Sequence, residues 1–455
     1  MSKIDVINPF NGEKFGEYQL SSREESLEAL SKVRAGLKTQ RKLMPFQRSE
    51  ILSKLADLLE SHRDELSKLI AMEIGKGQSE CAVEISRAVG VTRCAAEAAR
   101  EHGGEVLHSD AYMNMGGKRC IVEWRPIGVV LAITPFNFPI NLAIHKIAPG
   151  FAAGCTLLFK SGPANYLSGK RLTELCWEAG FPKDTIQFVM PDIPVMEELI
   201  QHKFVDCISF TGGVPTAKAI AKKSGFKKLL FELGGNDPLI VMPDADVETA
   251  AATAINQRFG SSGQRCTASK RVFVHAEVYD KFKSILLDKT KEVIVGDPLD
   301  PNTFMGPLVN EKAAIEVEKR IKDAAEEGAI ILTGGNREGA IVYPTVMENL
   351  NKKSELICDE TFGPVIPLIK FSELAEVIET VNESEFGLQS GVFTNDIRVA
   401  ERLYQELEVG AVIVNSGPGY RADHFPFGGV KDSGIGREGV RYAMEEMMVR
   451  KSLVI

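Results

Sequence analysis

The chain has 455 residues, of which 44% are hydrophobic and 25% charged, with a formal net charge of -8. This length predicts two or three domains, and the acidic balance argues against nucleic acid as a partner. No apolar run approaches the length of a membrane span, and scattered cysteines and histidines predict reduced thiols in the cytoplasm and no metal site.

The first hundred residues carry apolar stripes at helical spacing. The first stripe follows two serines, with a glutamate three residues later, which is the pattern of a capping box. We therefore expect a mostly helical start to the chain, whose stripes are packing faces. The predicted helices cover about 21–37, 45–60, 66–75 and 79–101.

Between about 105 and 125 the sequence becomes extended, and Gly116-Gly117 is predicted to form a hairpin turn. From Ile127 onward, short apolar runs alternate with helical segments, which indicates βαβ units and a parallel sheet with helices on both faces. The alternation restarts near residue 238, which predicts a second α/β domain. The predicted strands are IGVVLAIT, TLLFKSG, IQFVM, CISFTGG, LLFELGG, PLIVM, VFVH, VIPLIKF, SGVFT and AVIVN.

The stretch from Phe259 to Thr267, FGSSGQRCT, places one cysteine among small residues. Gly260 and Gly263 would leave room around the thiol of Cys266 for a substrate. The adjacent Arg265 would lower the thiol pKa and favour a nucleophilic thiolate. A buried core cysteine is the alternative, because free cysteine is among the most buried residue types.

Six motifs occur in an order and spacing that resemble the aldehyde dehydrogenase superfamily, over essentially the whole chain. They are TPFNFP (134–139), FTGG (210–213), FELGG (231–235), GQRC (263–266), ETFGPV (360–365) and PFGGVKDSGIGREG (426–439). The resemblance implies an α/β fold with a Rossmann-like cofactor domain, an α/β catalytic domain and a small β oligomerisation segment in a homodimer or homotetramer. The implied boundaries are 1–105 and 127–233 for the cofactor domain, 234–438 for the catalytic domain, and 106–126 and 439–455 for the oligomerisation segments.

In this resemblance Cys266 matches the family nucleophile, Asn137 the oxyanion donor, Glu232 the general base for thioester hydrolysis, and Lys146 a lysine that helps relay protons. Burial near apolar neighbours would raise the pKa of Glu232, as a base requires. Each residue also has a structural alternative. Asn137 could serve only in a turn, Glu232 could pair with a lysine such as Lys228, and Lys146 could be a solvated helix lysine.

The resemblance implies NAD as the cofactor, with NADP as an alternative. FTGG leads from a strand into a helix whose N-terminus can receive a pyrophosphate. Where this chain has Gly213 and Ala217, the family usually has Ser and Gly. Where this chain has Pro163, the NAD-preferring members often have Glu. The implied cofactor residues are Thr134, Pro135, Phe136, Lys160, Gly162, Phe210, Thr211, Gly212, Gly213, Leu233, Gly234, Glu360 and Phe362.

Arg265 and the segment YRADHFPFGG (420–429) resemble the branch that contains lactaldehyde, sulfolactaldehyde and phosphonoacetaldehyde dehydrogenases. Guanidinium groups grip carboxylate, sulfonate or phosphonate oxygens bidentately, so the substrate is expected to be a short polar, anionic or hydroxylated aldehyde. Phe138 stands where phosphonoacetaldehyde enzymes have His, which argues against that substrate. The expected substrate residues are Arg87, Arg265, Arg421 and His424.

Four alternatives stay open from the sequence. Arg87 could instead form a surface ion pair with Glu84, and Arg421 and His424 could be structural. The fold could also pass the acyl group to coenzyme A, or serve as a non-catalytic binding module. The presence of Glu232 argues against acyl transfer, because only hydrolysis needs such a base.

Overall fold

The computed structural model describes residues 3–455; Met1 and Ser2, where the expected cofactor domain begins, lie outside the described residues. The helices are α1 (Arg23–Gln40), α2 (Pro45–Ser61), α3 (Arg63–Ile74), α4 (Gln78–Glu101), α5 (Pro139–Ala153), α6 (Tyr166–Ala179), α7 (Ile193–Gln201), α8 (Val214–Ser224), α9 (Val247–Phe259), α10 (Tyr279–Lys291), α11 (Glu311–Glu326), α12 (Glu355–Cys358), α13 (Leu374–Asn382), α14 (Ile397–Glu406) and α15 (Val440–Glu446).

The strands are β1 (Lys3–Ile7), β2 (Lys14–Gln19), β3 (Glu105–His108), β4 (Arg119–Pro126), β5 (Val129–Ile133), β6 (Thr156–Lys160), β7 (Ile186–Phe188), β8 (Cys207–Thr211), β9 (Lys228–Glu232), β10 (Pro238–Val241), β11 (Arg271–His275), β12 (Ile330–Thr333), β13 (Arg337–Glu338), β14 (Ile341–Val342), β15 (Thr345–Glu348), β16 (Val365–Phe371), β17 (Phe386–Gly387), β18 (Gln389–Phe393), β19 (Ala411–Val414), β20 (Val430–Lys431), β21 (Gly434–Ile435) and β22 (Met448–Val454).

The first sheet has the order β21-β9-β8-β5-β6-β7 and is parallel except at β21. Alternate residues of β5 enter two different cores, since successive strand side chains point to opposite faces. Val130 packs with residues of α2 to α6, whereas Leu131 packs with residues of α1, α7 and α8. Helices therefore cover both faces of this sheet, as the apolar runs predict.

The second sheet has the order β12-β15-β16-β11-β10-β18-β19, with β12 antiparallel to the rest. Leu239 and Val241 pack against α9 and α10, while Ile240 packs on the other face with residues of α13 and α14. The alternation of strands and helices that restarts near residue 238 thus forms a second sheet with helices on both faces.

A third, antiparallel sheet has the order β22-β4-β3. Gly116 and Gly117 lie in the connection between β3 and β4, and Gly117 has φ 96. The hairpin was expected, although its connection runs from Ser109 to Lys118 and is longer than a tight turn.

The mostly helical start of the chain is preceded by an antiparallel hairpin of β1 and β2, which the sequence did not predict. Val6 and Tyr18 bury one side of this hairpin against Met190. The capping box is confirmed: the Ser22 hydroxyl accepts the backbone N–H of Glu25 at 3.1 Å. Each strand of this short hairpin buries only one residue, so its pattern is weak beside the helical stripes that follow.

A carboxylate from α4 caps helix α5. Phe138, which precedes α5, has no polar side chain to satisfy the free N–H groups of the first turn. Glu84 Oε1 instead accepts the backbone N–H groups of Ile140 and Asn141 at 2.9 and 3.1 Å. The loop immediately before α5 is thereby fixed against α4.

None of the helices between residues 3 and 455 combines the length and apolar character that a membrane crossing requires.

Candidate active site

The stretch that contains Cys266 has an unusual backbone conformation where it follows the end of α9. Ser261 and Ser262 have φ of 49 and 55, a left-handed region that serine seldom adopts. The Ser261 backbone N–H and hydroxyl donate to Glu80 Oε2 at 2.7 and 3.0 Å, and the Ser262 hydroxyl donates to the carbonyl of Gly306 at 2.7 Å. Side-chain contacts thus hold the loop that delivers Cys266.

Gly260 and Gly263 do not make room for a substrate, contrary to the expectation from sequence. A Cβ at Gly260 would lie 2.6 Å from Arg265 Nη2 and 2.9 Å from Glu80 Oε1. A Cβ at Gly263 would meet the backbone of Gly363. Both glycines are therefore needed for close packing around the cysteine loop.

The environment of the Cys266 thiol raises its pKa well above the ordinary value, first through burial and then through the charge of Glu232. The expected lowering by Arg265 is wrong. Arg265 pairs with Glu80, and the main cation that opposes the rise is Lys270. Lys270 also donates to the carbonyl of Cys266.

Asn137 is buried beside the cysteine loop, just before α5. Its Nδ2 donates to the carbonyl of Gln264 at 2.8 Å, which leaves one of its two amide hydrogens for another acceptor. Lys76 Nζ lies 3.5 Å from the carbonyl of Asn137 and 3.6 Å from the centre of the Phe138 ring. Asn137 is therefore more than a turn residue, because its side chain is tied to the cysteine loop.

Glu232 ends β9 and is buried. Neither carboxylate oxygen has a hydrogen-bond partner among residues 3–455. Burial and the nearby charge of Glu438 raise its pKa well above the usual value. The alternative pairing with Lys228 is wrong, because Lys228 pairs with Glu446.

Lys146 is 1% exposed, so the alternative interpretation, in which it is a solvated lysine on a helix surface, is wrong. Its Nζ lies 3.1 Å from Glu438 Oε1. The interpretation of the sequence missed Glu438, although it falls within the GREG segment. Its carboxylate holds a pKa of about 2, since Lys146 and Arg421 favour its charged form despite burial.

A cavity of about 350 Å³ opens in front of the thiol. Arg87, Arg265 and Arg421 all line it, as expected for substrate residues. His424 does not belong to the lining and is exposed, so its expected contact with substrate is corrected. The lining residues are Lys76, Glu80, Val83, Glu84, Arg87, Phe138, Asn141, Leu142, Asn256, Arg265, Cys266, Thr267, Gly419, Arg421 and Phe427.

Each arginine of this cavity has a carboxylate partner, which composition could not indicate. Arg87 Nη2 lies 2.7 Å from Asp423 Oδ1 and not against Glu84, so the alternative pairing is wrong. Arg421 Nη2 lies 3.1 Å from Glu438 Oε2. Glu84 instead pairs with Lys76 at 2.7 Å, and both side chains are almost completely buried.

His145 lies between the partners of these arginines. Arg421 Nη2 donates to His145 Nδ1 at 3.2 Å, so the ring proton resides on Nε2, which faces Asp423. Burial, together with the charge of Arg421, lowers the pKa of His145 to about 4. His145 is therefore neutral at pH 7.

A second, larger cavity of about 720 Å³ lies beyond the ends of β5, β6 and β8. It is lined by nine of the residues implied for the cofactor. They are Thr134, Pro135, Phe136, Lys160, Gly162, Phe210, Thr211, Gly212 and Gly213. Leu233, Gly234, Glu360 and Phe362 lie outside its lining. Leu233 and Gly234 are buried, and a Cβ at Gly234 would meet the Glu360 carboxylate.

The residues of this cleft fit a dinucleotide. A Cβ at Gly212 would lie 2.5 Å from the ring of Phe210, so only glycine keeps the turn into α8 open. The hydroxyl of Thr211 is buried without a partner in the part of the chain that the structure describes. Burial lowers the pKa of Lys160 to about 8, and α8 begins after Gly213, which has no side chain to cap it.

Glu360 and Phe362 line neither cavity but contact residues close to both. Glu360 Oε1 lies 2.8 Å from Lys270 Nζ and accepts the backbone N–H of Gly235 at 3.2 Å. The ring of Phe362 stands edge-on to that of Phe136, with 6.2 Å between centres. The residues implied for the nicotinamide end therefore lie beside Lys270, which itself contacts the cysteine loop.

Similarity to known proteins agrees with this arrangement. The aldehyde dehydrogenase family matches residues 1–453. The sulfoacetaldehyde dehydrogenase of Neptuniibacter caesariensis is 48% identical over 450 residues, 99% of each chain. The 3-sulfolactaldehyde dehydrogenase of Priestia aryabhattai is 37% identical, over 100% of this chain and 95% of its own.

Among solved structures, an NADP-dependent glyceraldehyde-3-phosphate dehydrogenase from Bacillus halodurans C-125 complexed with NADP is similar, with a TM-score of 0.97. It is 35% identical, and the match covers 100% of this chain and 96% of that one. The resemblance, its branch and the predicted fold class are thereby confirmed. The chain belongs to the aldehyde dehydrogenase family and is an aldehyde dehydrogenase that uses NAD or NADP.

Proposed function

We propose that this enzyme oxidises a short aldehyde that carries a sulfonate, with sulfoacetaldehyde as the representative substrate, to the carboxylic acid. The observation that carries the proposal is the group of three arginines, Arg87, Arg265 and Arg421, around the cavity of Cys266. Guanidinium matches the oxygens of a sulfonate in geometry and charge. The cavity volume of about 350 Å³ suits a molecule of a few carbon atoms.

The names of the relatives support a sulfonate rather than another anion. The 48% identical relative is named for sulfoacetaldehyde and the 37% identical one for 3-sulfolactaldehyde. Phe138, near both Lys76 and Arg265, adds an aromatic face to the cationic wall. A compact anionic head group with a short apolar carbon chain is complementary to this lining.

In the proposed reaction Cys266 Sγ attacks the aldehyde carbon, and a tetrahedral oxyanion forms. Asn137 Nδ2 would donate its second amide hydrogen to this oxygen while its first holds the carbonyl of Gln264. The raised pKa of the thiol requires its proton to leave as the bond forms. Glu232, whose pKa is also raised, would accept that proton.

Hydride acceptance is the chemistry that the nicotinamide supplies when the cofactor is bound. After passing the proton of the thiol on to solvent, Glu232 would take a proton from the water that attacks the Cys266 thioester and return it to the departing sulfur, releasing the carboxylic acid and the thiol. Lys146, which lies behind Glu232 and is held by Glu438, would relay the first of these protons by giving up one of its own ammonium protons as it accepts that of Glu232. The carbon–sulfur bond breaks as the carbon–oxygen bond of the acid is completed.

We propose that the cleft of about 720 Å³ holds the cofactor. Lys160 would bind the adenosine ribose, and the start of α8 after Gly213 would bind the pyrophosphate. Glu360 and Phe362 would hold the nicotinamide ribose and ring. Leu233 and Gly234 would support this end from beneath, through the contact of Gly234 with Glu360.

We also propose a homodimer or homotetramer in the cytoplasm, assembled through the third sheet. The strand β22 is an edge of that sheet and carries the exposed apolar side chains Val449, Leu453 and Val454. The three-part domain division expected from sequence is part of this proposal. All eight cysteines are free thiols, which suits a reducing compartment.

The test compares sulfoacetaldehyde with 3,3-dimethylbutanal, an uncharged aldehyde of nearly the same shape, using NAD or NADP, with and without coenzyme A. We expect kcat/KM for the sulfonate to be about 100-fold higher, because charge-assisted hydrogen bonds contribute about 1.5–3 kcal/mol each. Arg265→Met should remove most of this preference, whereas Arg398→Met, at an exposed arginine of α14, should not. Equal kcat/KM for both aldehydes, or a strict requirement for coenzyme A, would reject the proposal.

A further inference from the structure

Glu80 holds two parts of the cysteine loop with one carboxylate. Its Oε1 pairs with Arg265 Nη2, and its Oε2 accepts both the backbone N–H and the hydroxyl of Ser261. The Glu80 and Arg265 side chains are both largely buried at the wall of the substrate cavity. Helix α4 therefore fixes the direction of the Arg265 side chain relative to Cys266.

Gly260 makes this contact possible. Its missing side chain leaves space for the pair, since a Cβ there would lie 2.6 Å from Arg265 Nη2 and 2.9 Å from Glu80 Oε1. The backbone at Gly260 has φ -55 and ψ 138, which alanine adopts without strain. An alanine would thus displace the pair while changing no charge.

Arg265 keeps donors for a ligand while it is held in this way. Within residues 3–455 only its Nη2 donates a hydrogen bond, to Glu80, so the N–H groups of Nη1 keep no protein partner. The Phe138 ring, 6.0 Å from the guanidinium carbon, limits its movement on another side. A flexible arginine loses rotamer entropy when it binds, so one that is already fixed binds an anion more tightly.

We propose that Glu80 is a positioning residue that aims Arg265 at the substrate anion and so sets the selectivity of the enzyme for anionic aldehydes. This inference rests on the proposed function. Glu80 acts through Arg265 and contributes nothing to an uncharged substrate. The negative charge of Glu80 partly offsets the positive charge of Arg265, which is the cost of holding the guanidinium where it can bind an anion.

The experiment measures KM and kcat of Gly260→Ala and Glu80→Gln with sulfoacetaldehyde and with 3,3-dimethylbutanal. Glutamine has a single acceptor oxygen, so it cannot hold both Arg265 and Ser261. We expect KM for sulfoacetaldehyde to rise about tenfold in both variants, as for the loss of one well-placed charged contact. The KM for 3,3-dimethylbutanal should stay at the wild-type value, and any loss of kcat from the loosened cysteine loop should be the same for the two aldehydes.

The matched controls are Gly90→Ala and Glu97→Gln, both on α4. A Cβ at Gly90 would meet nothing within 4 Å, and Glu97 is exposed. An unchanged KM for sulfoacetaldehyde in the test variants would overturn the proposal. A lower KM in Glu80→Gln would also overturn it, since Glu80 would then compete with the substrate for Arg265.

A loss of kcat/KM by the same factor for both aldehydes would overturn it as well, because Glu80 would then only support the loop. Failure of the proposed function is seen separately, in the wild-type enzyme. It would show no preference for sulfoacetaldehyde over 3,3-dimethylbutanal, whatever the variants do.

Discussion

The buried pair of Lys76 and Glu84 offers the sharpest test of how the site is held. Replacing Glu84 with glutamine removes the charge that lies 2.7 Å from Lys76 Nζ. An amide oxygen can still accept the N–H groups of Ile140 and Asn141, as the carboxylate does at 2.9 and 3.1 Å. The variant therefore leaves helix α5 capped but strands a buried ammonium group.

Removing one partner of a buried ion pair typically costs about 3–5 kcal/mol, and we expect this loss in the free energy of unfolding for Glu84→Gln. Lys76→Met should cost less, about 1–2 kcal/mol, because Glu84 keeps two backbone donors at a helix N-terminus. The double variant leaves no unpaired charge and should be about as stable as Lys76→Met. The two changes are therefore expected to be strongly non-additive.

The assay is urea unfolding followed by tryptophan fluorescence; Trp177, one of the two tryptophans of the chain, packs against the same core as α5. The control is Glu28→Gln on α1, whose pair with Lys32 has the same 2.7 Å separation but lies exposed. Exposed helix pairs contribute about 0.3–0.5 kcal/mol. A Glu84→Gln loss no larger than that of Glu28→Gln would refute the reasoning, as would additivity with Lys76→Met.

Two further predictions concern the chemistry. Glu232→Gln should lower the pKa of the Cys266 thiol, because the charge of Glu232 raises it. The rate of alkylation by iodoacetamide, measured against pH, should then rise at lower pH than in the wild type. An unchanged or raised pKa of alkylation would contradict this. Gly212→Ala should weaken cofactor binding, because its Cβ would press on the Phe210 ring at 2.5 Å; fluorescence titration with NADH and NADPH measures this, and unchanged affinity would contradict it.

Most of the architecture could be predicted from the sequence because its signals are local. The run containing Val130 and Leu131 is apolar throughout, which is typical of a strand covered on both faces, and β5 is such a strand. The end of α3 is also a local signal, because Gly75 adopts the left-handed conformation that commonly ends a helix, with φ 74. The β1–β2 hairpin was not predicted, since it has few buried side chains and these are covered partly by residues as distant in the chain as Met190.

The ion pairs of the site could not be predicted, because their partners are far apart in the chain. Asp423 lies 336 residues from Arg87, and Glu438 lies 292 residues from Lys146. Helical spacing made Glu84 the natural partner for Arg87, yet the fold assigns Glu84 to Lys76. The residue types thus indicated a cationic pocket, whereas its balance of charge depends on the tertiary structure.

The ends of two helices show how one chain can keep two anions apart. Helix α5 begins next to Asn137, but its partial positive charge already meets the carboxylate of Glu84. Helix α8 begins after Gly213 with no such acid and faces the larger cleft. In the proposed binding mode the diphosphate of the cofactor would be attracted to the free N-terminus of α8, whereas the N-terminus of α5 is already neutralised. The small substrate would then be recognised by side chains, which mutation could change without altering the cofactor site.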